Sequence, residues 1–291
     1  MSVTVEAPAK INLTLDVTGR RDDGYHLVET VMQAVDLCDR VTVRRIDKPG
    51  SLSLACDAER VPAGPDNTAV RAAAAFFKAC GLVNPGVEIR LRKRIPMQAG
   101  LAGGSADAAG TLVALDRLMD TRMTSAELCA VAETVGADVP FCVLGAAAYA
   151  EGTGTILTPL PSLPDCAVVI AKPIGGVSTA EAYRLLDRAA ITRRPHTGTV
   201  VNALCVGDLA TVAHELCNVF EEALALPETM AIQQVMRDYG TLGSRMTGSG
   251  SAVFGLFDSE ETARRCTAAL RRDYDQVFQC RPCPHGPSEK P

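Results

Sequence analysis

No tryptophan occurs in this chain, and its aromatic rings come from only seven phenylalanines and five tyrosines. A core with so few rings has to be filled by aliphatic side chains, and at 47% hydrophobic residues the material for it is ample. Lysine is scarce, six of the 29 basic residues. The arginines are scattered rather than grouped, and the net charge is −5. Both features argue against a nucleic-acid binder. No apolar run reaches the length of a membrane span, and the opening MSVTVEAPAK lacks the charged-then-apolar order of a signal peptide. A cytoplasmic protein with no membrane partner is expected. Histidines number four and cysteines eleven, an odd count. Most cysteines, such as Cys129, Cys142, Cys166 and Cys205, lie in apolar segments, which predicts buried thiols rather than a disulfide framework. Cys280-x-x-Cys283, with His285 just after, is the one metal-like spacing. A structural zinc site needs four ligands, and no second pair is present, so no protein metal site is expected. The Pro-rich tail that carries this spacing is expected to be mobile.

With 291 residues the chain has room for two moderate domains. KINLTLDVTG alternates, with Ile11, Leu13, Leu15 and Val17 on one face, and RVTVRRI and SLSLAC add further strands. Asp66 or Asn67 caps a helix over residues 68–80 that Gly81 stops. GVEIRLRKRI is a strand leading into IPMQAGLAGGSADAAG, after which Leu112, Leu115 and Leu118 have helical spacing. Thr124-x-x-Glu127 is a capping box, Gly136 closes that helix, and strands continue to about Leu160. PLPSLPDC reads as a linker, which divides the chain into residues 1–160 and 161–291. The second part reads as α+β. A strand AVVIAK is followed by a helix opened by Ser178-x-x-Glu181, then by helices over 209–226 and 227–239. SRMTGSGSAVFGLF is a glycine turn between strands. Asp258-x-x-Glu261 opens the last helix, and QVFQC is the last strand.

The segment Ile95–Gly110 places glycines between a strand and a helix. An anion site needs several backbone N–H groups aimed at one point with no Cβ in the way, and a helix start adds its dipole and unpaired donors. Gly100, Gly103 and Gly104 supply such backbone, Ser105 adds a hydroxyl, and Asp107 lies in the first turn. Neither G-x-x-x-x-G-K-S/T nor G-x-G-x-x-G is present, so neither common phosphate fingerprint applies. By composition alone, a phosphate cradle and a small-residue helix start built for tight packing are about equally supported.

Four ordered segments bear on that choice. APAKINLTLDVTGRRDDGYHLVET (Ala7–Thr30) resembles the opening of the GHMP kinase superfamily. Its Asp23-Gly24-Tyr25-His26 block resembles the branch that acts on 4-diphosphocytidyl-2-C-methyl-D-erythritol. PMQAGLAGGSADAAG is similar to the superfamily's glycine-rich loop over the ATP phosphates, and RMTGSGSAVFGLF to its third motif. GADVPFCVLG resembles the segment carrying the catalytic aspartate. The resemblance runs from Ala7 to about Phe257. It departs at Ala102 and Ala106, where the superfamily loop has a glycine and a serine, and at Gln98-Ala99, where small residues are usual. A methyl at residue 102 is harmless if its φ is negative and awkward if φ is positive.

The resemblance implies a two-domain α+β kinase, with an N-terminal mixed-sheet nucleotide domain and a C-terminal α+β domain. It implies transfer of the ATP γ-phosphoryl group to the 2-hydroxyl of that substrate, in non-mevalonate isoprenoid precursor synthesis. Lys10 and Asp138 are the implied catalytic pair. The implied ATP site is Pro96, Met97, Gln98, Ala99, Gly100, Leu101, Ala102, Gly103, Gly104, Ser105 and Ala106, together with Asn67 and Lys93. Asn67 also reads as a helix cap, and Lys93 as a solvated strand residue. Tyr25 and His26 are implied to hold cytosine, with Tyr183 as a second stacking ring or a helix core residue. Asn12 and Thr179 are implied near the methylerythritol end, or Asn12 as support for Lys10. Mg²⁺ is expected to arrive with ATP, held mainly by phosphates and water, and a monomer or weak dimer is expected. A kinase of the same superfamily with another substrate, or a degenerate nucleotide sensor, are the competing expectations.

Overall fold

The computed structural model describes residues 1–59 and 61–289. Two long strands, β1 (Ser2–Arg20) and β2 (His26–Arg45), open the chain. They pair antiparallel through a tight turn, with register shifts between Pro8/Ala9, Asn12/Thr14 and Val17/Gly19. Bulges of this kind bend a strand and re-aim its side chains. Ile11 and Leu13 enter the main core as the alternation predicts. Lys10, Asn12 and Thr14, the polar members of the same alternation, are buried too. A strand whose polar face is also buried has to be covered by something that satisfies that face.

β3 (Leu52–Cys56), α1 (Thr68–Cys80) and β4 (Val87–Arg92) follow, then α2 (Gly103–Met119), α3 (Ser125–Glu133), α4 (Val139–Leu144), β5 (Ala147–Glu151) and β6 (Ile156–Leu160). The second half comprises β7 (Ala167–Lys172), α5 (Thr179–Leu186), α6 (Thr197–Val206), α7 (Leu209–His214), β8 (Cys217–Asn218), α8 (Phe220–Leu224), α9 (Pro227–Asp238), β9 (Gly243–Met246), β10 (Val253–Phe257), α10 (Glu260–Leu270) and β11 (Gln276–Cys280). The first sheet has seven strands, ordered β3-β4-β2-β1-β8, with β5 also on β2 and β6 on β5. Its β3–β4 and β1–β8 pairs are parallel. The second sheet is antiparallel, ordered β11-β7-β10-β9. On one face of it, Ile232 and Met236 of α9 and Ala263, Cys266 and Leu270 of α10 form a separate core with Val169 and Phe257. Its other face joins the main core through Val168, Ile170, Phe254 and Leu256.

The local signals hold at most ends. Asn67, not Asp66, caps α1 by accepting from the Ala69 N–H, and Gly81 ends it in the left-handed region. Thr124 and Glu127 form the reciprocal capping box of α3, and Ser178 caps α5. The cap of α10 is Ser259, one residue past the expected Asp258.

Other expectations need correction. The helix read over 209–226 is broken: β8 interrupts it by pairing with Thr14 and Leu15 of β1, and Asn218 then donates to the Met246 and Gly248 carbonyls. α6 is a helix with no polar N-cap to announce it, since His196 makes no capping bond. A short helix, α4, rather than a strand follows Asp138, with Pro140 near its start where a missing N–H costs nothing. Cys142 and Cys166 are buried as expected, Cys129 is half-buried, and Cys205 is exposed. The tail is packed, not loose: the Cys283 N–H donates to the Ala34 carbonyl, Ser288 bridges Glu6, and Cys283 is buried.

Candidate active site

The chain from Gln98 to Ala102 runs through three left-handed residues, Gln98, Gly100 and Ala102, with φ of 51°, 74° and 56°. At Gly100 an added Cβ would stand 2.0 Å from the Thr247 carbonyl oxygen, so only glycine fits there. The reason is a backbone-to-backbone contact between this loop and the turn at 247–250. The Ala252 N–H donates to the Ala99 carbonyl, the Thr247 hydroxyl to the Gly100 carbonyl, and the Lys10 N–H to the Leu101 carbonyl. Ala102 stands at the N-cap of α2 and offers no capping side chain, and the first intrahelical bond runs from the Ala106 N–H to the Ala102 carbonyl. The N–H groups of Gly103, Gly104 and Ser105 therefore face outward at the positive end of a 17-residue helix, as an anion cradle requires. The methyl at residue 102 is in the awkward case.

Beside the loop, the Lys10 ammonium donates to Asn12 Oδ1 at 2.6 Å. The same oxygen accepts from the Gly248 N–H at 3.0 Å and lies 3.2 Å from the Thr247 hydroxyl, whose one proton it shares with the Gly100 carbonyl, while Asn12 Nδ2 donates to Thr30 Oγ1. One amide thus ties β1 to the glycine turn and fixes the lysine. Asp138 sits at the N-cap of α4 but makes no capping bond, and its half-buried carboxylate has no hydrogen-bond partner among the described residues. Lys10, Asp138 and the glycine loop line one cleft of about 1490 Å³.

Part of this cleft is aromatic. Tyr25, on the β1–β2 turn, is 67% exposed. His26 stacks on Tyr183 of α5 with ring centroids 4.4 Å apart, and Tyr183 meets Phe220 edge-on at 5.0 Å. Burial, with the charge of Asp138 added, pushes the Tyr183 phenol up to about 12, so the ring stays neutral. His26 Nε2 lies 2.7 Å from Asp187 Oδ1. A carboxylate only accepts, so Nε2 carries the proton and Nδ1 of a neutral ring is left as an acceptor. The Thr179 hydroxyl touches Ser249 at 3.2 Å, where α5 meets the glycine turn.

Of the residues singled out from the sequence, Lys10, Asn12, Tyr25, His26, Lys93, residues 96–105, Asp138, Thr179 and Tyr183 line this one cleft. Asn67 does not; its side chain is committed to the Ala69 N–H and the Pro62 carbonyl. Ala106 is fully buried behind the loop. Lys93 is not solvated. Its ammonium is held between the carboxylates of Asp39 and Asp107, and it is only 8% exposed. Sequence reasoning missed Asp39, Asp187, Asn218 and Ser249. The only sequence signal for Asp39 is an acid inside a strand-forming run, which it shares with Asp36. Among the described residues, no three of His, Cys, Asp and Glu come together to hold a metal ion, and no helix is long and apolar enough to cross a membrane.

The GHMP kinase N-terminal domain model matches residues 67–146, and the GHMP kinase C-terminal model residues 201–276. A 4-diphosphocytidyl-2-C-methyl-D-erythritol kinase from Alkaliphilus metalliredigens is 42% identical over 277 residues, 94% of each chain. One from Pelotomaculum thermopropionicum is 43% identical over 283 residues, 97% of this chain and 98% of the relative. A crystal structure of 4-(cytidine 5'-diphospho)-2C-methyl-D-erythritol kinase superposes with a TM-score of 0.79 at 37% identity, covering 97% of this chain and 98% of that one. A homoserine kinase from Cytophaga hutchinsonii also reaches a TM-score of 0.79, at 22% identity, covering 99% and 96%. Equal scores at such different identities mean that the fold alone does not separate these enzymes; the sequence does. The glycine loop, the two matched domains and the near full-length identity agree, and the chain belongs to the 4-diphosphocytidyl-2-C-methyl-D-erythritol kinases of the GHMP kinase superfamily.

Proposed function

We propose that this kinase transfers the γ-phosphoryl group of ATP to the 2-hydroxyl of 4-diphosphocytidyl-2-C-methyl-D-erythritol. The observation that carries the reading is that Lys10, Asp138, the outward N–H groups of the glycine loop and the Tyr25–His26–Tyr183 cluster line a single cleft. In this reading residues 1–160 supply most of the nucleotide side and residues 161–291 close the substrate side. The triphosphate lies against Gly100–Ser105, where the helix dipole and free N–H groups favour negative charge. Cytosine is held by the aromatic part, Tyr25 and Tyr183 offering ring faces and His26 a hydrogen bond to the base edge. Asn12 and Thr179 flank the methylerythritol end.

Transfer forms a bond between the 2-oxygen and the γ-phosphorus and breaks the bond from that phosphorus to the β–γ bridging oxygen, with ADP leaving. The 2-hydroxyl proton passes to the Asp138 carboxylate, which has no competing partner. Lys10, oriented by Asn12, stabilises the developing alkoxide charge. Mg²⁺ would be held mainly by the triphosphate rather than by this chain's side chains, and would supply neutralisation of the phosphate charge.

A coupled ADP-release assay tests this. ADP is expected with ATP and the cytidine-linked substrate, and only background release with plain methylerythritol phosphate. Comparable turnover of both, or of homoserine or mevalonate instead, would overturn the substrate assignment. ATP binding with no turnover on any acceptor would support a sensor role.

A further inference from the structure

Behind the glycine loop lies a charged cluster that the proposed chemistry does not use. Lys93, just past β4, places its ammonium between Asp39 of β2 and Asp107 of α2, at 2.5 Å from Asp107 Oδ2. Asp39 is fully buried and spends its other oxygen on the N–H groups of Arg94 at 2.6 Å and Ile95 at 2.9 Å. Asp107 is 3% exposed, and among the described residues nothing donates to its Oδ1. The cluster touches the loop directly. A Cβ on Gly103, the first residue of α2, would stand 3.5 Å from the Lys93 ammonium, and Asp107 lies one turn further along the same helix.

Two carboxylates on one ammonium leave one uncompensated negative charge at a buried point. An ionised, buried oxygen with no donor is among the costliest arrangements in a protein interior, and protonation removes the cost. Burial and the charge of Asp39 push Asp107 up to about 7, against the pull of Lys93. Burial acts to lower Lys93, but the two carboxylates outweigh it and raise it, so the lysine stays charged. The other titratable groups around this point are Cys56 and Asp57 at the end of β3, and Asp138 and Cys142 of α4 with Lys10 beyond them. Both thiols, half-buried Cys56 and buried Cys142, are raised and neutral in this range, so Asp107 is the group poised to change charge.

We propose that Asp39, Lys93 and Asp107 form a buried clamp that positions the phosphate loop, and that Asp107 takes up a proton from solvent when a triphosphate occupies that loop. The inference rests on the reading of Gly100–Ser105 as the nucleotide site. A polyanion arriving at the N-terminus of α2 repels the clamp's net negative charge across a short, poorly solvated distance, and protonation leaves the clamp neutral. Lys93, although it also lines the cleft, acts in this view through Asp107 and the packing under Gly103.

Calorimetric titration of the full-length protein with ATP and Mg²⁺, without acceptor, at pH 7.5 to 8 in buffers of different ionisation enthalpy reads the protons taken up. If the nucleotide raises Asp107 by one unit, uptake is about half a proton near pH 7.5, and Kd weakens up to about tenfold between pH 6 and pH 9. In Asp107→Asn both effects are expected to vanish, because a neutral amide carries no charge to discharge. Asp39→Asn leaves Asp107 alone with Lys93, so it ionises fully and uptake at pH 8 falls toward zero. Equal uptake in the wild type and in either folded variant overturns the proposal, as does a wild type that binds ATP without taking up protons. A wild type that gives no ATP binding heat overturns the nucleotide-site reading as well, which separates the two failures.

Discussion

Lys10 and Asn12 stand two residues apart on one face of β1, and the lysine's ammonium donates to the asparagine's carbonyl oxygen at 2.6 Å. That oxygen also receives the Gly248 N–H and the Thr247 hydroxyl. Asn12→Ala removes one acceptor from three donors in a buried setting. A stability loss of about 1–3 kcal/mol is expected from the stranded groups. Because Lys10 then loses its fixed orientation, kcat should fall about 10- to 100-fold. Asn12→Asp keeps the acceptor and should recover part of both. Urea unfolding and steady-state kinetics read the two effects separately. An unchanged kcat in Asn12→Ala would sink the orienting role.

Asp138 and Lys10 are assigned to one proton-transfer event, and that makes a sharper demand than two separate losses. Lys10→Ala and Asp138→Ala should each lower kcat by about 10²- to 10⁴-fold while far-UV circular dichroism stays native. Residues that act as a unit are not additive, so the double variant should be little worse than the poorer single one. Independent, multiplying losses would mean that the lysine serves some other step.

The fold was legible where local chemistry decides it. Asn67 and Gly81 bracket α1, Thr124 and Glu127 open α3, and the alternation of Ile11 and Leu13 puts them in the core. It was illegible where a partner comes from far along the chain. Asp187 reaches His26 across 161 residues, and Asp39 meets Lys93 across 54. The break in the helix expected over 209–226 is of the same kind, since β8 forms only because β1 is there to pair with.

Ala102 falls between those cases, because its composition raised a question that its φ of 56° answers. An alanine in the left-handed region costs roughly 1–2 kcal/mol relative to what a glycine would experience. Part of that is returned by the greater entropy glycine loses on folding. Ala102→Gly should therefore stabilise the protein by about 0.5–1 kcal/mol, with the loop conformation retained. A midpoint of urea unfolding that moves down would show that the methyl is instead making a needed contact with the main core.

The aromatic part of the cleft predicts a split between the two substrates. Tyr183 stacks on His26 and lies edge-on to Phe220, and neither contact involves the glycine loop. Stacking on a base is worth about 1–3 kcal/mol. Tyr183→Ala should raise KM for the cytidine-linked substrate by roughly 5- to 100-fold, leaving KM for ATP nearly unchanged. Tyr183→Phe keeps the ring face and should behave almost as the wild type. A matching rise in both KM values would point to general loosening of α5.

The packed tail makes the last prediction. A Cβ on Gly286 would meet the Val143 carbonyl oxygen at 2.1 Å, so the chain there lies directly against the last turn of α4. The opposite end of that six-residue helix is Asp138. A helix this short moves as one piece, and pressure at Val143 reaches the carboxylate. Gly286→Ala forces the tail off α4 and should cost about 1–3 kcal/mol, as overpacking does. Deleting residues 284–291 removes the support altogether and should lower stability and kcat together. KM for ATP should change little, because the glycine loop is tied to β1 and the turn at 247–250 instead. A truncated protein with wild-type stability and kcat would return the tail to the mobile segment its proline content suggested.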